Sequence, residues 1–440
     1  MKTLPAEKLL NLAKKESASA EAAFSTGESR TVSFESDHLK TIEASFSSGI
    51  CLRLIQRGRV GVGATNRLEE SDELVDKALT VAEFGPKAHF EFPSPAPFNK
   101  EPQVFDPSLI RISDPTLVAR GEEIIAKIKC FNPKIVTDVD FGVGAGESVL
   151  LNSSGLRVEQ KAATIGFGVG GKLINEGDIL WIGEGNGSRQ DKLEVDFYVD
   201  RLLDKFRKAE KIVKIKSGHY PVIFTPDSFG SVLGFVTTAL NAKAVVKKTS
   251  RLRDKLGQKV FDERLTIVDD ATLDWKMGSG KCDNEGVAVR PLVLVEKGVV
   301  RGFYYDLQTA GQMGVLSTGH GSRTAAAALA VPSLHNTLVK GGKESYGAIL
   351  KNIKEGILAE QFLGEGQDNP FSGDFSFNLW LGYKIENGEI VGRVKDTMIA
   401  GNAFELLKGG IGEISSETEW VGNSFKCPYV ALEGLMVSSK

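Results

Sequence analysis

The chain has 440 residues, 41% apolar and 25% charged, an ordinary globular composition with enough apolar material for two or three domains. Lys and Arg number 54 against 57 Asp and Glu, so a net charge of −3 supplies no global field for nucleic acid. Nothing approaches a membrane-length apolar run, the opening MKTLPAEKLLNLAKKE lacks a signal-peptide core, and four isolated cysteines suit a reducing compartment, so a cytoplasmic protein is expected, with no membrane and no direct nucleic-acid partner.

Ala6–Lys15 predicts a helix that turns Leu9, Leu10 and Leu12 inward. Glu28–Glu35, His38–Phe46 and Gly49–Gln56 predict three strands, and Arg57-Gly58 a hairpin turn, because glycine adopts positive φ readily. Leu68–Phe84 reads as an amphipathic helix. Residues 86–115 predict a loop-rich segment: FEFPSPAPFNKEPQVFDPSL carries five prolines in twenty residues and cannot be a regular helix. This segment is expected to cross the surface of the N-terminal domain. A helix at Pro115–Lys129 follows, then strands from Ile135 to Gly183 turning at Ser153–Gly155 and Asn175–Asp178. A charged helix, Glu194–Lys211, leads to Ser217, where the domain boundary is placed. The expected domains are residues 1–216, mixed helix and strand, and residues 217–440, rich in strands.

In the second half, Tyr220–Phe224 predicts a strand and Thr225 the cap of a helix. Pro226 lacks only an N–H the first turn does not need, and Asp227 suits the positive end of the dipole. Phe229, Val232, Leu233, Val236 and Leu240 recur on one face of that helix. Hairpins are expected around Lys297-Gly298, joining Pro291–Glu296 to Val299–Tyr305, and around Asn387-Gly388, joining Gly373–Ile385 to Glu389–Val394. Tyr346–Glu355 and Ala403–Lys408 predict short helices. The fold class is α+β.

Several chemical words compete with plainer readings. Gly166–Gly171 matches G-x-G-x-x-G, yet a strand and turn follow where a dinucleotide site needs a helix. Gly278-Ser-Gly-Lys281 resembles part of a P-loop but Cys282 replaces its Ser/Thr, so it is read as a mobile loop; Gly142–Gly146 is read as a turn. Asp269-Asp270 and Asp262-Glu263 point to opposite faces of a strand and are read as solvated strand ends. A catalytic zinc ion needs three protein ligands, but no two of the five histidines lie within one helical turn, none precedes Glu, and no C-x-x-C occurs. In S-T-G-H-G-S-R-T, His320 and Arg323 could hold a carboxylate, and Asn336 could bond an extended chain. These three are the candidate peptide-groove residues, beside the plainer reading of ordinary loop polar groups.

The run SSGICLRLIQRGRVGVGATN before the 68–84 helix, the strand–helix unit from Tyr220, DKLGQKVFDE and the closing LTIVDD resemble the TldD/PmbA family. The ordered words DNEG (Asp283–Gly286), SGDFS (Ser372–Ser376), IENGEI (Ile385–Ile390) and AGN (Ala400–Asn402) extend the resemblance over most of the chain. It implies a two-domain TldD/PmbA-like fold with an N-terminal α/β domain and a strand-rich C-terminal domain. In the TldD branch the helix after Thr225 carries His-Glu-x-x-x-His, two zinc ligands and a general base. Counted back from Gly257, the two histidine places fall at about Leu233 and Thr238, and the stretch matching the family's cysteine ligand, about Glu413–Ser416, holds none. The chain therefore resembles the PmbA (TldE) branch. That implies a subunit of a TldD/TldE-type metalloprotease acting on unfolded peptides, with no cofactor in this chain, no catalytic or metal residues of its own, and zinc in a TldD-type partner. The alternative is a non-catalytic homodimeric peptide- or protein-binding protein of the gyrase-modulator type.

Overall fold

The computed structural model describes residues 4–17, 19–68, 71–323, 328–364 and 369–440. Its first helix, α1 (Leu4–Glu16), buries Ala6, Leu9, Leu10 and Ala13 at helical spacing. β1 (Ser19–Glu35) and β2 (His38–Gln56) form a long hairpin closed by Ser36 and Asp37, both at positive φ. The expected break between Phe46 and Gly49 is absent, because the ladder continues through Phe46↔Glu28 and Gly49↔Ser25. β3 (Arg59–Thr65) returns through the expected Arg57-Gly58 turn and pairs only with Ile50–Gln56. Among the described residues, β2 from His38 to Gly49 is thus an open edge, where Leu39, Ile42 and Phe46 are exposed and Lys40 and Glu43 guard against stray pairing.

α2 (Ser71–Phe84) packs on β3, and α3 (Asp114–Phe131) starts where the Ser113 hydroxyl accepts the Thr116 N–H. β4 (Val136–Asn152), β5 (Arg157–Asn175) and β6 (Asp178–Ser188) complete an antiparallel sheet ordered β3-β2-β1-β4-β5-β6, with turns where the sequence places them. Gly142–Gly146 is not a turn. It lies inside β4, paired with β1 and β5, because glycines alternating with Val143 and Ala145 satisfy a strand's period of two.

α4 (Val195–Ala209) turns Val199, Leu202 and Phe206 into a core shared by both halves. That core joins Phe141, Ile165 and Phe167 of the first sheet to Ile223, Leu358 and Tyr383 of the second. Next come β7 (Ile212–Val213), β8 (Gly218–Phe224), α5 (Pro226–Leu240) and α6 (Ala242–Val246). β9 (Ile267–Asp269) precedes the expected hairpin of β10 (Leu292–Glu296) and a short β11 (Val299–Val300). α7 (Leu307–Met313), the two-residue pair β12 (Gly321–Ser322) and β13 (Val331–Pro332), and β14 (Thr337–Val339) follow. α8 (Tyr346–Lys351) is shorter than expected. It ends at Lys351, and Glu355, the last residue of the expected helix, opens β15 (Glu355–Leu363), which lies parallel to β8.

β16 (Asp374–Glu386) and β17 (Glu389–Val394) form the Asn387-Gly388 hairpin, both turn residues at positive φ. β18 (Thr397–Asn402), α9 (Ala403–Gly409) and the hairpin of β19 (Ile411–Val421) with β20 (Phe425–Ser439) end the chain. β20 is the spine of a mixed twelve-stranded sheet, touching β8, β14, β18 and β19. The architecture is α+β, as expected. No helix among the described residues is long and apolar enough to cross a membrane.

The proline-rich segment does more than cross the first half; it ties the halves together. Asn152 Nδ2 donates to the Pro93 carbonyl at 2.8 Å, while Asn99 Nδ2 donates to Val289 at 2.9 Å and Trp275 N–H to Gln103 at 2.8 Å. Gly311 in α7 lies against this segment so tightly that a Cβ would stand 1.5 Å from the His89 carbonyl oxygen. Gly311→Ala is therefore expected to cost about 1–3 kcal/mol, because backbone must move. Urea unfolding with an unchanged m-value checks this, and wild-type stability would contradict it.

Candidate functional site

Where β5 and β6 meet α4, the first turn of α5 and the β19–β20 hairpin, the chain surrounds a cavity of about 790 Å3. That is within the range of ligand sites. Glycine makes the room: a Cβ on Gly183 would stand 2.4 Å from the Trp181 ring, and one on Gly170 3.1 Å from its Nε1. The literal G-x-G-x-x-G at 166–171 accordingly lies within β5, paired on both sides, and serves close packing rather than a phosphate.

Three cations of α4, Arg201, Lys205 and Lys208, stand at the cavity wall, and Lys208 pairs with Asp204. Lys205 Nζ lies 2.8 Å from Glu184 and 2.8 Å from Glu360, whose side chains are only 5% and 8% exposed. Arg201 meets Glu184 through Nε at 2.9 Å and through Nη2, and Glu419 through Nη1 at 2.7 Å. Tyr429 donates its hydroxyl to Glu419 at 3.0 Å and stacks on Tyr346 at 4.2 Å. Burial opposes the Lys205 charge, but Glu360 and Glu184 outweigh it and hold the ammonium above the usual lysine range. The sequence does carry one signal for this cluster. Lys205 falls on the buried side of α4 among Leu202, Leu203 and Phe206, where a lysine needs a partner.

The sequence-picked residues stand elsewhere. His320 and Asn336 are 1% and 0% exposed, and internal partners engage both, so neither lines an open groove in this chain. His320 Nε2 lies 3.1 Å from Asp269 Oδ2, and its Nδ1 lies 2.9 Å from Thr318 Oγ1. Nδ1 also lies 3.0 Å from the Thr318 carbonyl oxygen, while the Thr318 hydroxyl donates to the Tyr305 carbonyl at 3.2 Å. The His335 ring lies 4.9 Å away, its Nε2 2.7 Å from the Gly319 carbonyl, and its backbone N–H donates to Asp269. Asn336 Oδ1 accepts the Gly278 N–H at 3.0 Å, and its Nδ2 donates to the Asp270 carbonyl and to Ser279. The 278–281 loop is thereby fastened rather than loose, and Asp269 is a buried acceptor rather than a solvated strand end; burial on β9 overrides the local sequence signal.

Arg323 belongs to a different cluster. It pairs with Glu21 of β1, which also pairs with Arg53 of β2. Arg53 reaches Glu285 as well and lies 5.0 Å from the ring centres of both Phe90 and Phe92. Asp283 nearby accepts backbone N–H groups from Glu285, Val287 and Gly321, while burial and the Glu285 carboxylate push its proton affinity up.

Burial and the neighbouring His320 push the His335 imidazole below its ordinary 6.5. A histidine depressed in the fold contributes stability that is complete above pH 6.5 and lost as pH falls through its folded value. Wild-type melting temperature is therefore expected to decline as pH drops from about 6.5 to 5. His335→Gln should flatten that slope, and an identical slope in the variant would contradict the assignment.

A family model described as the PmbA/TldA metallopeptidase C-terminal domain matches residues 217–439, half of the chain, and another, described as PmbA/TldA metallopeptidase domain 1, matches residues 20–82. The chain belongs to the PmbA/TldD family. An uncharacterized Methanocaldococcus jannaschii protein is 28% identical over 92% of this chain and 94% of its own length. A metalloprotease of the same organism is 26% identical over 88% of each chain. The crystal structure of TldE from Thermococcus kodakarensis superposes with a TM-score of 0.92 at 25% identity, covering 99% of this chain and 100% of that one.

Within this family the α5 positions decide what zinc could find here. Thr225 caps α5 as expected, its hydroxyl accepting the Ser228 N–H at 3.3 Å. Leu233, where the resemblance implies about one histidine place of the TldD branch, is 1% exposed and packed in the main core with Phe229, Val232 and Val236. Thr238 offers a hydroxyl and Leu233 no ligand atom at all, so these residues do not fit a zinc ion. Among the described residues, no group of three His, Cys, Asp or Glu side chains stands close enough to hold a metal.

Proposed function

We propose that this chain is a PmbA/TldE-like subunit of a TldD/TldE-type metalloprotease complex, acting in the cytoplasm on unfolded peptides or small proteins. Leu233 carries the reading: an apolar core residue stands where the TldD branch has a zinc histidine. The full-length likeness to a structure called TldE supports it further. In this reading a TldD-type partner holds the zinc, which supplies the Lewis acid for amide hydrolysis. This chain's own residues form wall and backbone edges. The open edge of β2 from His38 to Gly49 is one row of free backbone groups with which an extended chain or a second subunit can pair.

The test is co-expression with a TldD-type chain, followed by size-exclusion chromatography with light scattering. A one-to-one complex is the expected result. A chain that remains a homodimer in the presence of that partner would favour the alternative, a non-catalytic homodimeric binding protein of the gyrase-modulator type.

A further inference from the structure

The cavity beside α4 has a charge pattern that the subunit reading does not use. Eight carboxylates and three basic groups line it, although the whole chain is nearly balanced at −3. All three bases are engaged within the chain, Arg201 and Lys205 by Glu184, Glu360 and Glu419 and Lys208 by Asp204, and Asp200 pairs with Lys127, so the carboxylates still outnumber the cations that meet them. Asp140, Asp200 and Asp227 are exposed at its rim. A concave wall of one predominant sign focuses the field and concentrates ions of the opposite sign.

Aromatic rings supply a second, independent observation. Trp181, Phe197 and Trp420 line the cavity, with the first two largely exposed. The rings around it already seat cations of the chain itself: Arg201 lies 4.8 Å from the Tyr198 centroid, and Lys276 lies 4.4 Å from that of Trp420. A second cavity of about 290 Å3, where Lys192 and Lys276 balance Glu194 and Glu419, shares Phe197, Glu419 and Trp420, so the aromatic wall is elongated while the acidic excess stays in the first cavity. An acidic, aromatic trough of that kind suits an organic cation and disfavours a phosphate or carboxylate ligand.

We propose that this trough binds the ammonium or guanidinium group of an organic cation, carried by a Lys or Arg side chain of an extended peptide or by a free polyamine. The site is a property of this chain alone and needs neither a partner nor a metal.

The experiment is a titration of the purified chain, without partner, followed by tryptophan fluorescence and calorimetry. The probes are an unstructured Gly/Ser peptide with two lysines, the same peptide with two glutamates, and spermidine. Saturable, salt-sensitive binding of the lysine peptide is expected, at least about tenfold tighter than the glutamate peptide. Spermidine binding as tightly as the lysine peptide assigns the cation alone; a preference for the peptide assigns a chain-borne cation. The rim variant Asp140→Asn/Asp200→Asn/Asp227→Asn, checked for unchanged melting, is expected to weaken binding about tenfold. Equal affinity for the two peptides, no saturation with either cation, or unaltered binding by the rim variant would overturn the proposal. Because no partner enters the assay, such a failure is separate from a failure of the subunit reading.

Discussion

Replacing Arg53 with methionine is expected to lower the unfolding free energy by about 3–5 kcal/mol. The guanidinium is 3% exposed and joins Glu21 of β1 to Glu285 of the loop before β10, both essentially buried. Burial works against its charge, but Glu21 and Glu285 hold it well above the ordinary arginine range. Methionine preserves much of the stem beside Phe90 and Phe92 while leaving two carboxylates in low dielectric. Arg323 still reaches Glu21, so Glu285 is the greater loss; its Oε2 also accepts the Leu307 N–H at 2.7 Å, at the start of α7. Urea unfolding measures the cost, and Glu285→Gln added to Arg53→Met should recover a substantial part. A deficit below about 1 kcal/mol would show the cluster to be a tolerated ornament rather than the tie between the two halves.

The second large effect is expected at Lys205. Lys205→Met removes the cation between Glu184 and Glu360, while Arg201 still reaches Glu184 but not Glu360. The orphaned Glu360 makes a loss of about 3–5 kcal/mol the expected outcome, with Lys205→Met/Glu360→Gln largely restoring stability. The pH dependence has a definite sign. A lysine raised in the fold contributes fully below its usual 10.5, and the contribution is lost as pH rises through the folded value. The gap between wild type and variant should therefore be constant from about pH 6 to 9 and narrow above 10.5. Chemical denaturation across that range tests it, and a gap that widens in alkali would contradict the assignment.

How far the sequence can be read depends on how local the cause is. Arg57-Gly58, Lys297-Gly298 and Asn387-Gly388 announce hairpins because both residues of each turn need positive φ, and all three form. Thr225-Pro226 announces α5 for an equally local reason. Gly142–Gly146 misleads because glycine marks both turns and close-packed strands, and only the neighbours β1 and β5 decide between them. The loose loop expected at 278–281 misleads likewise, since Asn336, far along the chain, fastens it. Nothing local distinguishes Asp269 from its neighbour Asp270. Burial against His320, 51 residues away, makes one a buried acceptor. Arg201 and Glu419 are 218 residues apart and meet only once both sheets are built. The departure from the family's zinc motif, read at about Leu233 and Thr238, is by contrast a local feature that needs no tertiary information to be seen.

The account's central claim is that this chain is the metal-free member of a two-subunit peptidase. It is tested most directly by zinc content, measured on the purified chain alone and after co-purification with a TldD-type partner, alongside cleavage of an unstructured peptide. The account predicts neither zinc nor cleavage for the chain alone, and both for the complex. One zinc per chain with chelator-sensitive cleavage by this protein alone would contradict it.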